Sequence, residues 1–140
     1  MNTELMFSSK TDLWSTPQSF YDNLNKEFNF TLDPCATKDN HKCDKFYTKE
    51  DDGLSKSWIG ESVFCNPPYG REIKHWVKKC YLESMQKNTL VVALLPARTD
   101  TEWFHIYIYN KAKEIRFIKG RLKFGGCANP APFPSMVVVF

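Results

Sequence analysis

The chain has no CxxC pair, no apolar run long enough to span a membrane, no internal repeat and no strong excess of one charge. Each absence removes a class. The five cysteines, Cys35, Cys43, Cys65, Cys80 and Cys127, are odd in number and irregular in spacing. That argues against a disulfide framework and for a reducing cytoplasm. His41 and Cys43 lie near Cys35, but a fourth ligand at sensible spacing is missing, so no metal site is expected. Without a long apolar stretch, no membrane segment is expected. The opening Met1-Asn2-Thr3-Glu4-Leu5 has neither the basic nor the apolar region of a signal peptide. A net charge of +3 permits a basic face but does not demand one.

What is present is an ordinary globular composition over 140 residues, 42% apolar and with a high aromatic share of 15%. That length suits one domain with a real core. Residues 1–13 are polar and read as a flexible N-terminal segment, and residues 14–140 read as the domain. Thr16 reads as a helix N-cap with Pro17 at the first helical position, and Phe20, Tyr21, Leu24 and Phe28 mark one helical face. Phe30 to Asp33 reads as a short strand stopped by Pro34. Residues 37–57, rich in Lys, Asp, Asn and Thr, read as a long loop. Ser62 to Cys65 is strand-like, and Ile73, Trp76, Val77 and Cys80 repeat at helical spacing. Leu90 to Leu95 has the continuous apolar character of a strand buried on both faces. Thr99 and Glu102 form a capping-box pattern that opens an aromatic helix through Tyr109. Ile115 to Ile118 and Met136 to Phe140 read as strands, with a Gly- and Pro-containing loop over 120–134. Strands alternating with helices predict an α/β domain, compact, with a mostly parallel sheet and helices on both faces.

Asn66-Pro67-Pro68-Tyr69 is the stretch that carries chemistry. Two consecutive prolines cannot lie inside a helix or a central strand, so they fix a rigid turn after the 62–65 strand. Pro67 also pushes Asn66 out of the α region. In open α/β sheets, ligands bind outside the carboxyl ends of strands. There the Asn66 side-chain oxygen and a proline-turn carbonyl suit the two hydrogens of a planar amine, and Tyr69 offers a ring for stacking. Asn and Pro are also plain turn residues. The strand before the turn and the helix after it are the context that the functional reading requires.

The ordered set of Trp14-Ser15-Thr16-Pro17, Leu32-Asp33-Pro34-Cys35-Ala36, Asp52-Gly53-Leu54 with Trp58, Asn66-Pro67-Pro68-Tyr69, Leu95-Pro96-Ala97-Arg98-Thr99-Asp100-Thr101 and Gly120-Arg121-Leu122-Lys123-Phe124 resembles the phage-type DNA N-6-adenine methyltransferases. These are a compact branch of the S-adenosylmethionine-dependent amino-methyltransferases. The likeness runs from Trp14 to Phe140. It implies a Rossmann-like methyltransferase fold with a final antiparallel strand, S-adenosyl-L-methionine as cofactor and double-stranded DNA as partner. It also implies a location in the cytoplasm, that of a bacterial host if the gene is carried by a phage or prophage. Only 32 residues separate Asp33 from Asn66, so the usual helix–strand units between them are expected to be shortened or absent.

The resemblance assigns catalysis to Asn66, Pro67, Pro68 and Tyr69, acting on the exocyclic amine of an adenine flipped out of the stack. It assigns cofactor contacts to Thr16 and Pro17, to Asp33, Pro34, Cys35 and Ala36, and to Asn66; Asp51 or Asp52 suits the adenosine part of the cofactor, and equally a solvated turn before Gly53. The chain departs from the wider superfamily in having no GxG after Asp33, although Ala36 is small. Asp33 also suits a simple Asx turn at a strand end, and Thr16 simple capping. Trp76 reads as core. Arg98, Arg121, Lys123 and Phe124 suit contact with phosphate and an extruded base, and equally a solvated surface and an amphipathic strand. The Asn66 turn would serve cytosine N4, an RNA adenine or a protein glutamine as well. A non-catalytic nucleic-acid-binding module that kept the fold is the other-class alternative. A dimer would enlarge the DNA-contacting surface, but no residue argues for one.

Overall fold

The apolar run Leu90–Pro96 becomes the central strand β4 of one six-stranded sheet in the computed structural model, which describes residues 13–140. The expected flexible segment over 1–13 therefore lies outside the described residues, save for Leu13. The other strands are β1 (Leu32–Asp33), β2 (Lys45–Phe46), β3 (Ser62–Cys65), β5 (Glu114–Phe117) and β6 (Ser135–Val139). Their order across the sheet is β2-β1-β3-β4-β6-β5. The first four are mutually parallel, and β6 inserts antiparallel between β4 and β5. The sheet is thus mostly parallel with a final antiparallel strand, an α/β architecture compatible with the Rossmann-like methyltransferase fold.

Burial on both faces explains the composition of the central strands. All of β6 is buried, as is β4 after its first residue, and parallel sheets covered on both sides read as unbroken Val/Leu runs. Among the described residues three α-helices flank the sheet: α1 (Gln18–Phe28), α2 (Ile73–Ser84) and α3 (Glu102–Tyr107). Successive side chains of a strand point to opposite faces. Phe64 of β3 meets Tyr21 of α1 edge-on at 5.1 Å, whereas Cys65 meets Cys80 of α2. So α1 lies on one face and α2 on the other, with α3 packed on α2 through Tyr81 and Tyr107. Among the described residues no helix is long and apolar enough to cross a membrane.

Several local expectations are corrected. Helix α1 starts at Gln18, with Pro17 extended at the cap position and no side chain capping it, because the Thr16 hydroxyl is engaged elsewhere. The cap of α3 is Thr101, whose Oγ1 accepts from the Phe104 N–H at 3.3 Å, not Thr99, and the helix stops at Tyr107. The 37–57 segment holds β2 and a single 3₁₀ turn, Gly53–Ser55. Between β1 and β3 that strand and that turn are all the regular structure there is, which is the physical form of the shortening read from the spacing.

Candidate active site

The carboxyl ends of β1 and β3 lie side by side, so Asp33 and Asn66 come to one edge of the sheet. Asn66 stands one residue beyond β3, with Pro67 buried behind it. Its side-chain amide is held on both sides. Nδ2 donates to the Trp14 backbone carbonyl and, at 2.9 Å, to Thr16 Oγ1. Oδ1 accepts from the Tyr69 hydroxyl at 2.8 Å, and that hydroxyl also lies 2.9 Å from the Leu94 carbonyl. A carbonyl can only accept, so Trp14 fixes which end of the amide is nitrogen. Burial, with Cys65 nearby, pushes the Tyr69 hydroxyl far up, so it stays a donor at physiological pH.

Tyr69 itself is placed differently from the expected open stacking face. It is 2% exposed, and its ring is covered edge-on by Phe133 at 5.5 Å and Phe124 at 6.4 Å. Trp14 completes this aromatic cap, 5.2 Å from Phe133 and 5.6 Å from Phe124. The polar hydroxyl, not the ring face, is what reaches Asn66. Phe124 is 1% exposed and belongs to the same cap. Phe133 was not singled out from the sequence; it lies in a proline-rich loop distant along the chain, and nothing in its neighbours signals the contact.

Asp33 is buried, and both carboxylate oxygens have backbone donors: Cys35 N–H to Oδ1 at 3.2 Å and Lys42 N–H to Oδ2 at 2.9 Å. The first is the Asx turn, and the second clips the 34–42 loop back onto β1. Burial raises the Asp33 carboxyl above its ordinary range, while these two backbone donors oppose the shift. Each carboxylate oxygen keeps further acceptor capacity. Burial likewise pushes the Cys35 thiol up, which leaves it protonated.

Two adjoining cavities open at this edge and share Leu13, Cys35 and Thr37 as walls. The smaller, about 80 Å³, is lined by Thr16, Asp33, Asn40, Lys42, Phe64 and Asn66 among others. The larger, about 310 Å³, runs between Pro34-Cys35-Ala36, Asp52-Gly53-Leu54, Pro68, Glu72 and Trp76. The structure therefore brings Thr16, Asp33, Pro34, Cys35, Ala36, Asp52 and Asn66 around two cavities that share a wall. Asp52 adopts a left-handed backbone, φ 59°, and no hydrogen bond engages its side chain; its neighbour Asp51 is used up capping Thr48. Trp76 is buried as expected, yet it walls the larger cavity and its Nε1 has no partner. An orphaned buried donor is costly unless something accepts from it. Gly53 explains how the wall closes: a Cβ there would lie 2.2 Å from the Pro34 carbonyl oxygen.

The predicted substrate residues ring the aromatic cap. Arg98, Arg121 and Lys123 are exposed. The Arg98 guanidinium sits 5.7 Å from the Phe133 ring centre, and Arg121 Nη1 reaches the Ala131 carbonyl at 3.4 Å. Among the described residues no group of His, Cys, Asp and Glu is arranged to hold a metal ion.

Comparison with known proteins gives the same reading. The family model described as DNA N-6-adenine-methyltransferase (Dam) matches residues 4–134. The chain is 34% identical over 140 residues to a protein named DNA N-6-adenine-methyltransferase from Haemophilus phage HP1 (strain HP1c1), covering 94% of this chain and 80% of that one. It is 41% identical over 107 residues to the protein of the same name from Escherichia phage T1, covering 74% of this chain but only 44% of the relative.

Proposed function

The chain belongs to the DNA N-6-adenine-methyltransferase (Dam) family, and from that premise we propose that its 14–140 domain methylates the N6 amine of adenine in double-stranded DNA, in the cytoplasm of a bacterial host. The observation that carries this is the Asn66 amide at the carboxyl edge of the sheet, held by the Trp14–Thr16 strap at Nδ2 and by Tyr69 at Oδ1, beside a two-part cavity.

We assign that cavity to S-adenosyl-L-methionine. Its lining suits a ligand with a charged end and a flat ring end. The smaller part is lined by Lys42, Asp33 and Thr16; the larger carries Leu54, Trp76 with its unpartnered Nε1, and Asp52. Pro17 leads α1 away from the smaller part, and Pro34, Cys35 and Ala36 wall both parts or the larger one. The bound cofactor supplies an electrophilic methyl group on a sulfonium sulfur.

The chain's own residues then do three things. Asn66 Oδ1 accepts one hydrogen of the target amine with the lone pair not used by Tyr69, since an amide oxygen has two. The Pro67 carbonyl, held by the rigid Pro67-Pro68 turn, accepts the other. Together they turn the nitrogen lone pair out of conjugation toward the methyl group, and they stabilise the positive charge that develops on nitrogen. Fixed alignment supplies much of the remaining acceleration. The adenine must leave the stack to reach this point. For it to reach the Tyr69 ring, Phe124 and Phe133 must give way. We assign to Arg98, Arg121 and Lys123 the holding of phosphates around the extruded base, a role their exposure permits.

The test is incubation with methyl-labelled cofactor and duplex DNA, followed by digestion to nucleosides. Label in N6-methyladenine is expected. Label confined to N4-methylcytosine overturns the base, and label in RNA or protein but never in DNA overturns the substrate class.

A further inference from the structure

We propose that Thr16, on the short Trp14–Thr16 strap, is a positioning residue that holds the Asn66 amide in the orientation whose flip the Trp14 carbonyl sets. The inference rests on the catalytic reading of Asn66 given above. An amide with two similar ends can point either way unless its partners distinguish oxygen from nitrogen. Here they do. The Trp14 carbonyl accepts only, and Thr16 Oγ1 accepts from the same nitrogen at 2.9 Å. Both of them come from the strap; the carbonyl demands Nδ2 on that side, and the Thr16 hydroxyl, which could serve either end, is held there as its acceptor. The Tyr69 hydroxyl stands at the opposite end, its single hydrogen within reach of Asn66 Oδ1 at 2.8 Å and of the Leu94 carbonyl at 2.9 Å. Reversed, the amide would set a carbonyl against a carbonyl on the strap side.

The strap is itself anchored at two points. Gly125 N–H donates to the Ser15 carbonyl at 2.8 Å, and Asn40 Nδ2 donates to Ser15 Oγ at 2.9 Å. It is therefore tied to the loop that carries Arg121, Lys123 and Phe124, and to the loop beside the cofactor cavity. Thr16 is 5% exposed, and its hydroxyl is spent on Asn66 rather than on the start of α1, where helix capping would have placed it. The hydroxyl's partner is thus Asn66, although the residue also walls the smaller part of the cavity.

The experiment compares Thr16→Val and Thr16→Ser in two readouts. In single-turnover and steady-state assays, Thr16→Val should lower kcat roughly five- to tenfold, the effect of one lost hydrogen bond, while the Kd for S-adenosylmethionine moves less than twofold. Thr16→Ser should restore kcat. In an Asn66→Ala background, which has no side chain for Thr16 to hold, Thr16→Val should add no further loss. A Thr16→Val protein with unchanged kcat and weakened cofactor binding would make Thr16 a cofactor contact and overturn the proposal, and so would full additivity with Asn66→Ala. The second readout needs no activity: the Asn66 side-chain amide, followed by ¹⁵N NMR, should exchange with solvent several-fold faster in Thr16→Val than in wild type. Unchanged exchange overturns the proposal. Wild-type protein that labels no DNA adenine refutes the proposed function instead, and the amide exchange still decides the role of Thr16.

Discussion

At the residue scale, Asn66 and Tyr69 divide the work in a way that the tetrapeptide alone does not reveal. The sequence marks both residues and the rigid turn between them. It does not show that the tyrosine hydroxyl points back at the asparagine, because that depends on the Leu94 carbonyl and on the aromatic cap covering the ring. In the proposed mechanism Asn66→Ala removes an acceptor of the target amine, at the cost of one wall of the smaller cavity. Methyl transfer should fall at least about a hundredfold, the usual cost of one preorganised electrostatic partner, with a much smaller change in cofactor Kd by calorimetry. Tyr69→Phe keeps the ring but strands the Leu94 carbonyl and frees one side of Asn66 Oδ1. Its folding free energy should fall by about 1 kcal/mol in denaturant titration. Its kcat should fall less than that of Asn66→Ala, because Trp14 and Thr16 still hold Nδ2. A Tyr69→Phe protein as inactive as Asn66→Ala would mean that the hydroxyl itself acts on the substrate.

At the scale of elements, the close approach of the 3₁₀ turn to the loop after β1 is what closes the larger cavity. Gly53 packs on Pro34, its carbonyl accepts from Trp58 Nε1 at 3.1 Å, and Trp76 lies against it. A Cβ at Gly53 would meet backbone, which cannot swing aside as a flexible side-chain end can. Gly53→Ala should therefore cost about 1–3 kcal/mol of stability by overpacking and weaken cofactor binding as the 34–36 and 52–54 walls separate. Thermal melting with and without cofactor would show both effects. A variant that melts and binds like wild type would place this contact outside the site. The elements themselves were largely legible. Strands β3, β4 and β6 and helix α2 follow from apolar runs and helical spacing, because burial leaves a periodic record in the sequence. Strand β2 was not legible. Two residues, one exposed and one half-buried, leave no period to detect. The helix starts were misread for a related reason. Thr16 and Thr99 have capping chemistry, but a hydroxyl goes to whichever partner the tertiary structure places nearest. For Thr16 that partner is Asn66, fifty residues away in sequence.

At the scale of the whole molecule, a net charge of +3 leaves little general attraction for a polyanion, so DNA affinity must come from where the positive charges stand. Some are already neutralised. Arg116 is paired with Glu27 and Glu114, and Lys45 with Glu61, all away from the aromatic cap. Arg98, Arg121 and Lys123 take part in no ion pair among the described residues and lie exposed around that cap. Each phosphate contact made by such a residue releases condensed counterions, and the slope of log K against log salt steepens by about 0.9 per contact on duplex DNA. Lys123→Ala and Arg121→Ala should thus each weaken DNA binding at low salt, nearly equally for all sequences, and each should flatten the salt slope by roughly 1. Because neither residue lines the cofactor cavity, cofactor Kd should stay unchanged and kcat at saturating DNA should change little. Fluorescence anisotropy across a salt series measures the slopes directly. Arg116→Ala is the internal control: its charge is held by two carboxylates, and removing it should leave the slope as it was. Equal flattening in all three variants would mean that DNA senses only the net charge of the protein and that the rim around Tyr69 is not where the duplex lies.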